Sequence, residues 1–121
     1  MDIRIITWQG ADIAEVTGEE KSIRDTKAIK DLFARAQEAG KADRLLINRN
    51  LIDESFFDLK TGFADELIGA FHRHPMKLAV TGYIPPLQTL ALKAFLFEKK
   101  LGKSVRLIAD REKALDWLSR A

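Results

Sequence analysis

The sequence lacks several features that define whole classes of protein. Its 121 residues contain no cysteine, which excludes a disulfide framework, a thiolate nucleophile and a cysteine-based zinc site. No apolar run approaches the ~20 residues that a membrane-spanning helix needs. No basic stretch followed by an apolar segment opens the chain, as it would in a secretory signal peptide. We therefore expect a soluble, cytoplasmic protein.

An excess of charge of one sign is also missing. The chain carries 20 basic and 18 acidic residues, a net charge of +2, and the two signs are interspersed. Only Lys99, Lys100, Lys103 and Arg106 form a locally basic stretch. This balance does not favour nucleic-acid binding. With 46% hydrophobic and 31% charged residues, the composition predicts one folded domain over residues 1–121.

The common catalytic motifs are absent as well. The sequence has no Walker loop, no Gly-x-Ser-x-Gly and no Gly-x-Gly-x-x-Gly. Its two histidines, His72 and His74, stand two positions apart at a predicted helix end, so one helix face cannot present both to a metal. We therefore expect no catalytic residues, no metal and no cofactor, and predict that the protein is not an enzyme.

Hydrophobic periodicity predicts an α/β fold with a five-stranded mixed sheet. Strand-like and helix-like segments follow one another in the order β-β-α-β-α-β-α-β-α. The first two strands form a hairpin across Gln9–Gly10 and are antiparallel, whereas strands joined through helices pair in parallel. The predicted strands cover residues 3–8, 13–16, 45–48, 76–81 and 105–108, and the predicted helices begin near residues 25, 62, 86 and 110.

Alternation within the later strands predicts that the helices lie mainly on one face of the sheet. One face is apolar throughout and must lie under helices. The other face is mixed, and we expect it to be at least partly open. Arg44, Lys77 and Arg106 share the same alternation phase near the starts of neighbouring strands, so they should lie side by side on that open face.

The order and lengths of these segments resemble the STAS, or SpoIIAA-like, fold of anti-sigma-factor antagonists and of the cytoplasmic domains of sulfate transporters. More narrowly, IAEVTGEE, LLINRNLIDESFFDLKTGFADELI and KLAVTGYIP are similar to a family of small bacterial proteins, domain of unknown function family 4180. The narrower resemblance implies no known activity. The fold resemblance implies a binding or regulatory module more often than an enzyme, by analogy at fold level.

The same resemblance points to Ser55. In the antagonists, a serine just after the third strand is phosphorylated by a partner kinase, and Ser55 lies in about that region. Here Glu54 adjoins the hydroxyl and would repel a phosphate. The residues alone favour a local structural role, in which Asp53 or Ser55 accepts hydrogen bonds from the free amides of a short helical turn.

The carboxyl ends of the parallel strands are the predicted site for a ligand or partner, because open α/β sheets bind ligands there. The polar loop over residues 50–62 lies at the same edge, and its Phe56 and Phe57 either wall a small pocket or fill the core. The residues that we expect at this edge are Asn48, Asn50, Ser55, Phe57, Lys60, Thr61, Thr81 and Tyr83.

The third predicted helix offers a second surface. At 100° per residue, Leu87, Leu90, Ala91, Ala94, Phe95 and Leu101 form an ordinary core stripe. Leu92 and Leu96 fall on the opposite, polar side, where they would form one exposed apolar patch. We therefore predict self-association through Leu92 and Leu96.

Two functions remain open at this stage. The first is a non-enzymatic protein-interaction or regulatory module that binds a protein partner or a second copy of itself. The alternative is a domain that binds a small apolar or anionic molecule at the edge formed by the strand ends. A closed, packed edge around Phe57 and Tyr83 favours the first, whereas a concave pocket with convergent polar groups favours the second.

Overall fold

The computed structural model describes residues 1–40, 42–73, 76–100 and 102–121, without the side chains of residues 26 and 71–73. These ranges contain five strands and four α-helices in the predicted order. Three short 3₁₀ turns lie between the third strand and the second helix. The elements are β1 (Asp2–Trp8), β2 (Ala11–Thr17), α1 (Thr26–Gly40), β3 (Arg44–Asn48), α2 (Phe63–Arg73), β4 (Lys77–Thr81), α3 (Pro86–Glu98), β5 (Val105–Leu107) and α4 (Arg111–Arg120).

The sheet has the strand order β1-β2-β3-β4-β5, so each strand lies beside its neighbour in the chain. β1 pairs with β2 antiparallel, and the other pairs are parallel. The hairpin turn places Gln9 and Gly10 at positive φ values of 49° and 83°, the conformation that a two-residue hairpin favours. The predicted mixed sheet is confirmed.

Several helix ends follow from local sequence chemistry. The Asp25 carboxylate accepts a hydrogen bond from the Ala28 amide, and the Asp110 carboxylate accepts one from the Lys113 amide, both at 3.0 Å. Before α2, Gly62 adopts φ of 78°, which a residue with a Cβ rarely does. α3 is different: it begins at Pro86 without a side-chain cap.

The main core lies between one face of the sheet and helices α1, α2 and α3. This placement follows from right-handed crossovers between strands in sequential order, which bring successive helices to the same face. The predicted apolar face supplies the sheet side of this core. Buried residues include Ala14, Val16, Leu45, Ile47, Leu78, Val80 and Val105 from the strands and Ile29, Leu32, Ala36, Leu67, Ile68, Leu92 and Leu96 from the helices.

α4 covers the centre of the second face, whereas α1, α2 and α3 lie on the first, so the prediction that the helices lie mainly on one face is confirmed. Ile13, Leu46 and Ala79 form a second core with apolar residues of α4, and all of them are buried. These strand residues form a small apolar patch among polar neighbours, which is enough to seat a short helix. The α4 residues in this core are Ala114, Leu115 and Leu118.

Arg44, Lys77 and Arg106 lie around this second core, and the predicted side-by-side arrangement holds for Arg44 and Lys77 but not for Arg106. Arg44 and Lys77 are register partners, whereas Arg106 pairs with Ala79. Arg44 donates to the Ala121 carbonyl at 2.7 Å, Lys77 donates to the Lys103 carbonyl at 2.8 Å, and the Arg106 guanidinium stacks over the Trp117 ring at 5.3 Å. Different partners therefore hold the three cations, and Arg44 and Arg106 contact the chain's last helical segment.

Candidate functional site

A cleft of about 410 Å³ lies at the carboxyl edge of the sheet, where the sequence predicts a site. Asn48, Asn50 and Thr81 all line it, as expected. The Asn48 carboxamide oxygen accepts a hydrogen bond from the Asn50 amide at 2.9 Å, which fixes the turn after β3. The opposite wall comes from the end of β2 and from Arg111, which follows β5.

Glu15 and Arg111 form the most strongly polarised part of this cleft. Arg111 donates two hydrogen bonds to the Glu15 carboxylate, at 2.8 and 3.0 Å, and Arg4 donates a third at 2.9 Å. The hydrogen bond from Arg111, reinforced by Arg4, lowers the pKa of Glu15 below its ordinary value of 4.5. Because two guanidinium groups hold this carboxylate ionised, it is a poor general base.

The aromatic residues of the 50–62 loop fill the core instead of lining a pocket. Phe56 and Phe57 are both buried and make an edge-to-face contact, with ring centroids 5.1 Å apart. The guanidinium of Arg49 lies 4.7 Å from the centroid of the Phe57 ring and covers it from outside. The part of the edge around Phe57 is therefore closed and packed.

Ser55 occupies the local structural role that the residues favour. Its amide and its hydroxyl both donate to the Asp53 carboxylate, at 3.1 and 2.6 Å. These bonds, the one from the hydroxyl first, lower the pKa of Asp53. Phosphorylation of Ser55 stays a prediction. The phosphate would have to replace the bond to Asp53 and lie beside a second carboxylate, that of Glu54.

The remaining residues predicted for this edge do not converge on the cleft. Lys60 and Thr61 lie on the exposed 3₁₀ turn before α2, where the Thr61 hydroxyl donates to the Ser55 carbonyl at 2.6 Å. Tyr83 is 72% exposed and borders a separate depression of about 150 Å³. The predicted edge is thus divided into a polar cleft, a packed loop and an isolated tyrosine.

Helix α3 has the opposite orientation to the predicted one. Leu92 and Leu96 are only 1% and 5% exposed, so they cannot form the predicted self-association patch. Instead, Leu87, Leu90 and Phe97 are 83%, 68% and 87% exposed. Apolar residues occur all round this helix, so periodicity alone does not fix the buried side. Leu101, which was predicted for the core stripe, lies outside the described residues.

The exposed side of α3 is a continuous apolar surface. Leu87, Leu90, Ala91, Ala94 and Phe97, hereafter the outer face, recur at spacings of three and four residues and therefore lie along one side of the helix. All five are exposed. Glu98, at the helix end, is the one charged residue within this arc.

The outer face adjoins a groove of about 760 Å³ between α3 and β5. Phe97 belongs to both surfaces. The groove, hereafter the α3–β5 groove, is lined by the apolar residues Leu96, Val105, Leu107 and Ile108 as well as by basic side chains. It follows the edge of the sheet, because β5 is the last strand in the order.

Basic residues surround the α3–β5 groove. Lys93, Lys100, Lys103 and Arg106 all line it. Within the described part of the chain, no carboxylate lies within 4.0 Å of their charged nitrogens. The groove therefore combines an apolar lining with positive charges that no ion pair within those residues neutralises.

The sequence analysis did not predict the exposure of the outer face or the hydrogen bonds that Arg111 and Arg4 donate to Glu15. The sequence holds a weak indication that Phe97 lies on the outer face. It stands one helical turn after Ala94, so it extends the row of apolar residues towards the basic residues Lys99 and Lys100. Arg111 has a clearer signal, because it directly follows the cap residue Asp110 at the carboxyl end of β5. The signal at Arg111 does not identify Glu15 as its partner, since the two residues lie 96 positions apart in the sequence.

The described ranges contain neither a candidate metal site nor a candidate membrane-spanning helix. These contain no group of three or more histidine, aspartate or glutamate residues arranged to hold a metal ion. His74 and the side chain of His72 lie outside the described parts of the structure. No helix in those parts is long and apolar enough to cross a bilayer.

The described residues form a mixed α/β domain with a sequentially ordered sheet, a polar cleft at the carboxyl ends of the strands and an exposed apolar face on α3. The model of one protein family, the domain of unknown function DUF4180, matches residues 8–118. The chain therefore belongs to this family, as its motifs predict. Among curated proteins, no significant match to this chain is found.

Proposed function

We propose that this chain is a non-enzymatic, cytoplasmic protein-interaction module of the STAS-like type, whose binding surface is the outer face of α3 with the α3–β5 groove. The observation that carries the proposal is the exposure of Leu87, Leu90 and Phe97 on one side of one helix. Single exposed apolar residues are common on proteins, but a contiguous apolar patch marks an interaction surface.

The distribution of apolar residues round α3 supports this proposal. A helix that is apolar on every side is ordinarily buried on every side. α3 packs Leu92 and Leu96 into the main core and leaves the five residues of the outer face in water. Covering that face would remove its apolar area from water, and this burial stabilises a complex by roughly 25 cal/mol per Å². A bound protein therefore accounts for a surface that folding leaves uncovered.

The test is affinity purification from the native cell, followed by mass spectrometry. Three baits are compared: the wild type, Leu90→Glu/Phe97→Glu on the outer face, and Lys27→Glu/Lys30→Glu on exposed positions of α1. We expect a protein that the wild type and the α1 variant retain and the outer-face variant loses. Binding of that protein is then measured with purified components, where the outer-face variant should weaken it at least about tenfold.

Two results would overturn this proposal. One is a partner that all three baits retain equally, because its binding site would then lie elsewhere. The other is that the wild-type bait, purified at its native abundance, captures no specific partner. Circular dichroism confirms separately that the outer-face variant is folded.

A second candidate function rests on the polar cleft. Its lining by Asn48, Asn50 and Thr81 is a specific observation that favours a small polar ligand at the strand ends. Native mass spectrometry of the protein purified from its own cells should then show a bound small molecule. Asn50→Trp, which fills the mouth of the cleft at an exposed position, should remove it. A wild-type protein that carries no added mass contradicts this candidate.

A further inference from the structure

We infer that the partner presents an acidic amphipathic helix, which lays its apolar side on the outer face and in the α3–β5 groove and its carboxylates against the lysines. This inference deepens the proposed function and depends on it. It concerns the chemistry of the partner, which the exposed apolar residues alone do not specify. Helix-in-groove binding is a common mode of peptide recognition.

The first argument is the distribution of charge along the chain. Residues 93–106 hold five basic residues and one acidic residue, Glu98. The remaining residues hold 15 basic and 17 acidic residues, so outside this segment the chain is slightly acidic. The positive charge of the molecule is therefore concentrated where α3 and β5 form the groove. A partner with carboxylates in matching positions is favoured over a neutral or basic one.

The second argument is the lack of counter-charges, within the described structure, among the clustered basic residues of the groove. Elsewhere some cations meet carboxylates, such as Arg4 and Arg111 on Glu15, whereas dispersed ones such as Lys27 and Lys30 do not meet one in the ranges that the structure describes. The lysines of the groove have no such partner among the described residues. Lys77 extends the basic region, since its ammonium reaches the Lys103 carbonyl at 2.8 Å. The groove thus has an uncompensated charge that an acidic ligand would neutralise.

The same charges argue against a second copy of this chain. A two-fold symmetric contact would place the groove of one copy against the groove of the other. Lys93, Lys100 and Lys103 would then lie against the same basic groove of the other copy, and like charges brought together are unfavourable. A membrane is also a poorer fit, because a flat bilayer would not fill a concave groove of about 760 Å³.

The dimensions suit a short helix. α3 has 13 residues and is therefore about 20 Å long, and the outer face occupies about 15 Å of that length. A partner helix of three to four turns has about the same length, and its apolar residues at spacings of three and four form one stripe. Carboxylates flanking that stripe would face Lys93 and Lys100, which stand on the groove side of α3.

The experiment uses two synthetic peptides of about 14 residues, which is the length of a helix of about four turns. Both carry leucine or phenylalanine at positions i, i+3, i+4 and i+7 of a helix, and one places glutamate at the flanking positions where the other has lysine. Binding to the full chain is measured by fluorescence anisotropy and mapped by amide chemical shifts. We expect the acidic peptide to bind, with shifts confined to α3 and β5, and the lysine peptide to bind at least about tenfold more weakly.

Matched variants separate charge from apolar contact. Lys93→Glu/Lys100→Glu should weaken binding of the acidic peptide about tenfold, and added salt should reduce the difference in affinity between this variant and the wild type. Lys27→Glu/Lys30→Glu, an equal change of charge on α1, should alter binding less than about twofold. Both pairs are exposed, so neither substitution disturbs the core.

Four results would overturn the inference. These are equal binding of the two peptides, no binding of the acidic peptide at millimolar concentration, binding to anionic vesicles without binding to the peptide, and a dimer in sedimentation that Leu90→Glu/Phe97→Glu abolishes. The proposed function fails separately. Suppose that the outer-face variant loses a cellular partner whose contact region is not acidic. The proposed function is then supported, and the inference of an acidic helix is overturned.

Discussion

Helices α3 and α4 follow successive strands but meet solvent in opposite ways. α4 buries Ala114, Leu115 and Leu118 and turns charged residues outward. α3 buries Leu92 and Leu96 and turns Leu87, Leu90 and Phe97 outward. The inner sides of both helices pack in a core. Of the two helices, α3 is the one that exposes a row of apolar side chains to solvent. This difference is the basis of the proposal that the outer face of α3 binds another molecule.

The two helices also differ in how they are fixed. α4 begins with a capped turn at Asp110 and is tied to β2 by the ion pair between Arg111 and Glu15. α3 begins at Pro86 without a side-chain cap, and it rests on the edge strand β5. A side-chain cap and an ion pair to β2 therefore anchor α4, whereas α3 depends on packing of its inner side.

The largest expected effect is on the inner sides of both helices. Leu92→Ala and Leu115→Ala each remove a buried side chain, so each should lower the free energy of unfolding by roughly 2–5 kcal/mol in urea titrations. Leu90→Ala, the matched control on the outer face, should change it by less than about 0.5 kcal/mol. A loss from Leu90→Ala as large as that from Leu92→Ala would show that the assigned orientation of α3 is wrong.

A smaller effect is expected at the cap of α4. Asp110→Ala removes the carboxylate that accepts from the Lys113 amide, which should cost about 1 kcal/mol of stability. Glu98→Ala removes an exposed carboxylate from α3 and serves as the control, with an expected change within about 0.5 kcal/mol. Thermal unfolding of both variants beside the wild type measures the difference, and equal midpoints would contradict the role of the cap.

The smallest effect is expected at Glu15 and depends on pH. Its pKa is lower in the folded chain than its ordinary value of 4.5, so the ion pair contributes its full stability above that pH. As the pH falls through the lowered pKa, the carboxylate is protonated and the contribution is lost. Glu15→Gln should therefore be less stable than wild type at pH 7, by up to about 1 kcal/mol, because Arg111 is half exposed.

The difference between Glu15→Gln and wild type should shrink when unfolding is repeated at progressively lower pH. A difference that stays constant from pH 7 to pH 3 would mean that the Glu15 carboxylate does not stabilise the fold through its charge.

Local chemistry made most of the fold predictable. Asp25, Asp110 and the Gln9–Gly10 turn mark element ends by hydrogen bonds and backbone conformations that depend only on neighbouring residues. The mixed sheet follows from the order of strands and helices. The covered second face did not follow, because α4 seats on a patch that Ile13, Leu46 and Ala79 form only after three strands have paired.

The candidate site was less predictable for the same reason. Asn48, Asn50 and Thr81 share the cleft because each stands at a strand end, which the strand order specifies. The burial of Phe57 depends on how the 50–62 loop folds back, with Arg49 over its ring. The exposure of Phe97 depends on which side of an all-round apolar helix meets the sheet, and tertiary packing decides that.

The most direct test of the central claim is photo-crosslinking inside the native cell. A benzophenone amino acid replaces Leu90 on the outer face, and in a control strain it replaces the exposed Lys30 on α1. We predict an adduct with a second protein from position 90 that position 30 does not give, because position 90 lies in the row of exposed apolar residues on α3. No adduct at position 90, or the same adduct at both positions, would contradict the claim that α3 binds a partner.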